Sequence, residues 1–429
     1  VILNERAASY VQDLQTAIET AVRSAQAYPN RANTGGAIFA LRADLTPPET
    51  RAHLLAVAAV VLVASRGPIG AQLDRMPPPP VRAPPVRLSA PLPAAPAPPP
   101  PAELEFFNGT GGFDQDGREY VTVLQGAGTT PAPWINVIAN PGFGFQTSAE
   151  GSGFTWAENS RENQLTPWSN DPVTDPAGEA IYLQDMDSGQ VWTPTALPIR
   201  SRGSYLARHG FGYSHFQHAA QGIAAEMVQF VPLDAPVKIS RLTLRNMSGR
   251  NRRLAITAYV EWVLGTARGA TAIGLITEID SETGAVLVRN PRSMAFAGRV
   301  AFADFGPEVS SRSCDRSEVL GRTGSMAAPA RLVGLSGRAG PGLDPCAALQ
   351  RKVVLAAGQT VEVTFLLGQC DSAEAARALI RATRARDPSD LLEEVKGWWR
   401  GLLGAVQVRT PDRTLDVMLN GWLLYQTLA

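Results

Sequence analysis

The sequence predicts a mainly β chain, with a large antiparallel sandwich in its middle and helical segments on either side. Between Glu105 and about Leu367, short apolar runs are punctuated by glycine, proline and aspartate, the pattern of many strands joined by tight turns. Within it, Leu254, Ile256, Ala258, Val260, Trp262 and Leu264 alternate with Thr257, Tyr259 and Glu261, a period of two that fits a strand with unlike faces. After Ser372 the period lengthens to that of helices, near 373–386, 390–404 and 411–428.

At 429 residues the chain is too long for one ordinary core, so several structural units are expected. Thr46-Pro-Pro-Glu49 carries a capping-box signature at the start of a helix. The apolar run Leu54–Val63 that follows is expected to be helical and buried against neighbours, because it falls short of the ~20 residues that span a bilayer. Residues 77–101, just over half of them proline, cannot form a ladder or a helix and read as an extended spacer. Inside the β region, Asp116-Gly117, Thr283-Gly284 and Ala357-Gly358 each stand before a strand-like run, as hairpin turns would. In the last helix, Leu415, Met418, Leu419, Trp422, Leu423 and Gln426 form one apolar face that the chain offers little to cover, so self-association is expected.

Lysine and arginine total 39, as do aspartate and glutamate, so there is no basic field for nucleic acid or an anionic membrane. Cys314, Cys346 and Cys370 form no CxxC pair, which argues against a disulfide framework or a structural zinc and for a reducing compartment. No signal peptide begins at Val1; the chain starts without methionine and stops inside a helical pattern, so it is expected to be a piece of something longer.

The stretch Trp156-Ala-Glu-Asn-Ser-Arg-Glu-Asn-Gln-Leu-Thr-Pro-Trp-Ser-Asn-Asp-Pro-Val173 is dense in the groups that bind sugars. Aromatic faces stack on pyranose rings, while amides, guanidinium and carboxylate groups pair with hydroxyls. Trp156, Asn159, Arg161, Glu162, Asn163 and Trp168 are therefore the candidate substrate-binding residues; a polar loop pinned to the sandwich by its tryptophans is the competing account. Asn108–Gly117 is glycine-rich but lacks the Gly-Lys-Ser/Thr end of a phosphate loop and the twelfth-position glutamate of an EF-hand, so it reads as tight turns. His209, His215 and His218 lie among aromatic residues with no completing thiolate or carboxylate set, so no metal is assigned to them. His209 or His215 with Glu226 is the pair an epimerase would need. A free-standing carbohydrate-binding module without catalysis is a further alternative.

Phe107–Tyr120, Glu158–Asn163 with Leu165–Pro172, and Gly342–Cys346 resemble the cyclic β-1,2-glucan synthases and their relatives, the inverting sugar phosphorylases of glycoside hydrolase family 94. The resemblance runs from about Leu104 to Ala429. It implies a galactose-mutarotase-like β-supersandwich, then a helical linker, then an (α/α)6 barrel holding the catalytic acid. On that reading residues 1–76 are a helical segment, 77–104 the proline-rich linker, 105–370 the supersandwich, 371–408 the helical linker and 409–429 the start of a truncated barrel. The family's sugar-binding segment and general acid would lie beyond Ala429, so no catalytic residue is carried over. The implied ligand is a β-glucan oligosaccharide, with no cofactor and inorganic phosphate as co-substrate of the complete enzyme. A single acid protonates the glycosidic oxygen while phosphate attacks from the other face, so paired carboxylates are not required. The 156–172 loop is expected to face a barrel of the same or a neighbouring subunit, the latter in a homodimer. The implied location is cytoplasmic, with the complete synthase tied to the inner membrane by an upstream half.

Overall fold

The computed structural model of the protein describes residues 1–5, 13–26, 38–58, 60–74, 103–114, 116–321 and 324–429; the proline-rich spacer lies outside them. The chain divides into two compact units, Val1–Pro84 and Pro85–Ala429.

In the first unit, β1 (Ile2–Asn4) pairs in parallel with β2 (Ala40–Arg42), and α1 (Asp13–Gln26), α2 (Pro48–Val57) and α3 (Ile69–Leu73) accompany them. Two expectations fail here. Thr46 does not cap α2: its hydroxyl donates to the Arg42 carbonyl at 2.7 Å, and α2 begins at Pro48 behind Pro47. Nor is Leu54–Val63 a buried helix. The helix stops at Val57, Ala58 and Val63 are extended, and Leu55, Val57, Val60, Val61 and Leu62 are exposed. Valine-rich sequence favours extended backbone, and the side chain of Gln72 holds the extended form by bonding both the amide and the carbonyl of Val63.

The second unit runs in chain order through β3 (Gly111–Phe113), β4 (Glu119–Gln125), β5 (Ile135–Asn140), β6 (Phe143–Ser148), β7 (Gly153–Ala157), β8 (Glu179–Asp185), β9 (Val191–Trp192), β10 (Ser204–Gly210), β11 (Tyr213–Ala220), β12 (Ile223–Phe230), β13 (Val237–Asn246) and β14 (Arg252–Glu261). After the short α4 (Arg268–Thr271) come β15 (Ile276–Ile279), β16 (Val286–Arg289), β17 (Val300–Asp304), β18 (Ser311–Asp315), α5 (Arg316–Val319), β19 (Pro345–Leu355) and β20 (Thr360–Cys370). The chain then turns helical in α6 (Ala373–Arg384), α7 (Pro388–Leu403), α8 (Arg413–Val417) and α9 (Leu423–Leu428). Ten strands form one sheet in the order β15-β16-β17-β20-β13-β12-β11-β10-β4-β3; β18-β19-β14-β8-β9 and β5-β6-β7 form two smaller sheets, and every pairing in the three is antiparallel. The turns at Gly284 and Gly358 sit at φ 76°, the left-handed region that glycine enters without steric cost.

The main core lies inside the sandwich, where Phe143, Phe145, Leu183, Trp192, Met227, Leu242, Ile256 and Trp262 are buried together. The far side of β14 is covered as well: Tyr259 packs with Tyr182, Leu320, Leu332 and Leu335, and Thr257 donates to the Leu332 carbonyl. A third layer covers the outer face of the ten-stranded sheet. There Val228, Phe230, Ile239 and Leu366 meet Ile380, Leu391, Val395 and Trp399 of α6 and α7.

That layer also corrects the picture of an uncovered last helix. Val417, Trp422 and Tyr425 are buried in it, beside Phe113, Tyr120 and Phe211. Trp422 Nε1 donates to the Gly117 carbonyl at 2.8 Å, and the Tyr425 hydroxyl donates to the Val137 carbonyl at 2.6 Å. A π-helical turn at Met418–Trp422 joins α8 to α9. Its extra residue rotates the buried stripe off the simple three-four spacing, so Leu415, Leu419, Leu423 and Leu424 face outward while Trp422 does not.

Candidate functional site

The loop after β7 is fixed at its base by buried polar chemistry. Thr155 and Thr166 both donate from their hydroxyls to Glu179 Oε1 at 2.6 Å, and Thr155 N donates to Thr166 Oγ1 at 2.8 Å. From the opposite sheet Lys238 Nζ lies 2.9 Å from Glu179 Oε2 and 4.2 Å from the centre of the Phe145 ring. Lys238 is 4% exposed, a burial that a lysine tolerates only with its charge matched.

Beyond that base the chain makes a tight tip at 158–163. Glu158 enters it with a left-handed backbone (φ 62°), and Arg299 Nη2 lies 3.0 Å from its carboxylate. Asn159 turns its side chain inward, where Oδ1 accepts the amides of Arg161 and Glu162 at 2.9 Å each. Asn163 is 1% exposed and donates to the Ala157 carbonyl and to Gln369 Oε1. Arg161 and Glu162 project from this frame into solvent, 3.4 Å apart, with 88% and 52% of their side chains exposed. Trp156 lies across Gly144 of the paired strand, so closely that a Cβ there would sit 2.7 Å from the indole.

Past the base the chain lines a cavity of about 220 Å3 with Trp168, Asn170 and Asp175, opposite Ile135, Gln146 and Ser152 of the three-stranded sheet and its turn. Trp168 is half exposed and its ring centroid stands 5.9 Å from that of Phe154, which in turn stands 5.2 Å from Trp156. Asp175 adopts φ 40°, and its Oδ2 accepts from Ser148 Oγ at 2.6 Å. Burial pushes its carboxyl above the usual carboxylate range, against the serine hydrogen bonds that lower it.

A match to the family described as "Glycosyl hydrolase 94, supersandwich domain" covers residues 118–386. The chain belongs to this family. Over its whole length it is 38% identical to the cyclic beta-(1,2)-glucan synthase NdvB of Rhizobium meliloti, spanning 16% of that protein. It is 27% identical to the N,N'-diacetylchitobiose phosphorylase of Vibrio proteolyticus and 25% identical to the 3-O-beta-D-glucopyranosyl-beta-D-glucuronide phosphorylase of Paenibacillus borealis. Each of those two alignments takes in 74% of this chain and 40% of the relative. The chain thus spans well under half the length of these relatives.

Within this supersandwich the six sequence-derived candidates separate. Arg161 and Glu162 form an exposed tip, Asn159 and Asn163 hold its backbone, Trp156 packs on the sheet, and only Trp168 reaches the cavity. The sequence reading missed Gln146 and Asp175. Asp175 stands two residues past the stretch singled out, and the repeated Asp-Pro of 171–176 was the available signal; Gln146 comes from a neighbouring strand and carried none. Among the histidines, His209 is buried between Ser214 Oγ and the Trp134 carbonyl, and His218 is stacked on Tyr205 at 3.7 Å. Burial lowers both imidazoles to about 4. His215 Nε2 lies 2.6 Å from Glu226 Oε1, which lowers the Glu226 carboxyl; His209 takes no part in that pair. Among the described residues, no three His, Cys, Asp or Glu side chains are grouped to hold a metal, and no helix is long and apolar enough to cross a membrane.

Proposed function

We propose that this chain is the carbohydrate-handling sandwich of an enzyme that processes β-1,2-glucan by glycosyl transfer or phosphorolysis, and that its 158–163 tip borders the glucan cleft of the complete enzyme. The observation that carries the reading is the contrast within the tip. Its backbone is held by the buried Asn163–Gln369 pair and by Asn159, yet Arg161 and Glu162 are presented to solvent. Rigid support beneath a polar, outward-facing pair is the arrangement that a recognition group needs, because ordering is complete before the ligand arrives. In that enzyme a single acid, supplied from outside this chain, protonates the glycosidic oxygen and inorganic phosphate is the attacking co-substrate. No cofactor is assigned. The cleft is completed by a barrel of the same subunit or, in a homodimer, of its partner.

The three thiols support a reducing, cytoplasmic setting. Cys314, Cys346 and Cys370 are buried and unpaired, and burial pushes Cys314 up to about 12 and Cys370 up to about 11.

The test is Arg161→Ala in the complete enzyme. A sugar hydroxyl left unpaired costs about 1–3 kcal/mol, so kcat/KM should fall roughly ten- to a hundredfold with the melting temperature unchanged. Full activity per folded molecule, with or without early melting, would make the tip scaffold only.

A further inference from the structure

The cavity beside Trp168 is distinct from the tip: none of Trp156, Asn159, Arg161, Glu162 or Asn163 lines it. Its volume of about 220 Å3 suits one pyranose ring, and its lining has the composition such a ring selects. Trp168 offers a half-exposed indole face at one side. The amides of Gln146 and Asn170 have no hydrogen-bond partner among the described residues, so donors and acceptors of both kinds are open there. Asp171 is committed elsewhere, its carboxylate closing the 171–174 turn through Val173 N, Thr174 N and Thr174 Oγ1.

Asp175 ties the loop to the turn between β6 and β7, because its carboxylate accepts from Ser148 Oγ at 2.6 Å and from Ser152. A non-glycine residue at φ 40° costs of order 1–3 kcal/mol unless its surroundings over-determine it, and such positions gather at ligand sites. Here the left-handed backbone places Asp175 in the cavity lining, with the Ser148 and Ser152 hydroxyls on its carboxylate. Among the described residues no lysine, arginine or histidine lines the space, so an anion such as phosphate would meet an acidic wall without a counter-charge. Neutral hydroxyl groups, by contrast, donate to carboxylates and amide oxygens and pair with amide N–H groups.

We propose that this cavity is a separate subsite for one hexopyranose unit of a neutral glucan chain, with Trp168 stacking on the ring and Gln146, Asn170 and Asp175 pairing with its hydroxyls. The proposal rests on the glucan reading above, but not on the role given to Arg161. A linear β-1,2-glucan oligosaccharide titrated into the 429-residue chain, followed by calorimetry and tryptophan fluorescence, tests it. Saturable binding is expected, weakened roughly tenfold or more in Trp168→Ala and in Gln146→Ala, partly retained in Trp168→Phe and Asp175→Asn, and unchanged in Val354→Ala, an exposed position away from both the cavity and the tip. Thermal melts of each variant separate lost contacts from lost fold, and Trp168→Phe keeps the test alive if the alanine variant unfolds. Absence of saturable binding, binding by folded Trp168→Ala and Gln146→Ala equal to that of the parent chain, or a loss in Val354→Ala as large as in Trp168→Ala would overturn it. Loss of activity in the complete enzyme on Arg161→Ala bears on the tip alone.

Discussion

Lys238 reaches across the sandwich from the ten-stranded sheet to meet Glu179 at 2.9 Å, and the same carboxylate receives Thr155 and Thr166 beneath the polar loop. One buried ion pair therefore ties the two layers together and seats the loop that carries both the tip and Trp168. Removing one member strands the other: Lys238→Ala should destabilise the second unit by about 3–5 kcal/mol, whereas Lys238→Met with Glu179→Gln should recover much of that loss. Denaturant melts of the single and double variants measure it. A single-variant loss under about 1 kcal/mol would show that the pair adds little.

Trp422 and Tyr425 make the C-terminal helices part of the core, which reverses the expected effect of cutting them away. Deleting residues 409–429 bares Phe113, Tyr120, Phe211 and Trp399, so the shortened chain should melt earlier and aggregate more. Trp422→Ala should cost about 3–5 kcal/mol through the cavity it leaves. Tyr425→Phe should cost about 1–3 kcal/mol, because the Gly212 amide loses the acceptor it has at 3.2 Å. A shortened chain that melts at the parent temperature would contradict the packing.

The outward leucines behave differently. Leu415, Leu419, Leu423 and Leu424 are each 42–48% exposed, so Leu419→Lys with Leu423→Glu should reduce self-association while moving stability by no more than about 0.5 kcal/mol. Light scattering across a concentration series reads the outcome.

What could be read ahead of the structure was whatever local chemistry decides. Gly117 and Gly284 mark hairpin turns because glycine enters φ 70° and 76° cheaply, and the alternation through β14 follows from the strand period. Gly358 also turns the chain at φ 76°, but it joins no hairpin, since β19 lies in the five-stranded sheet and β20 in the ten-stranded one. The proline-rich segment lies outside the described residues, so its extended form stays an expectation. Leu54–Val63 was misjudged because an apolar run has no fixed period, and Gln72, which holds Val63 extended, lies too far along the chain to be noticed. The π turn at 418–422 goes with Trp422 and Tyr425 meeting Gly117 and Val137, residues 305 and 288 positions away. At the site, the composition of 156–173 marks a polar stretch but does not tell Asn163, buried on Gln369, from Arg161 in solvent. Asp175 is defined by strain and by Ser148, neither of which a sequence displays.

His209 and His218 give the second unit a pH dependence. Each has its imidazole lowered from 6.5 to about 4 by burial. Between those values the unfolded chain binds protons that the folded chain refuses, so stability present near neutrality is lost as pH falls from about 6.5 towards 4. At pH 5 the loss is on the order of 1–2 kcal/mol for each histidine. His218→Gln, which keeps a hydrogen-bonding side chain beside Ser201 and Ser204, should flatten the profile of the melting temperature over that range. An equally steep profile in the variant would assign the dependence elsewhere.

The isolated chain should perform no phosphorolysis. The reaction needs an acid delivered to a glycosidic oxygen and a cationic seat for phosphate on the opposite face. The cavity beside Trp168 has no cationic lining, and Asp175 already accepts from Ser148 within it. At the tip, Arg161 is exposed and its nearest charged neighbour is Glu162, which opposes anion binding. Incubating the purified 429-residue chain with β-1,2-glucan and phosphate should therefore release no glucose 1-phosphate above an enzyme-free blank, while saccharide binding at the Trp168 cavity persists. Sustained release that co-purifies with the chain and vanishes in Arg161→Ala would place the chemistry within these residues and overturn the division of labour proposed for them.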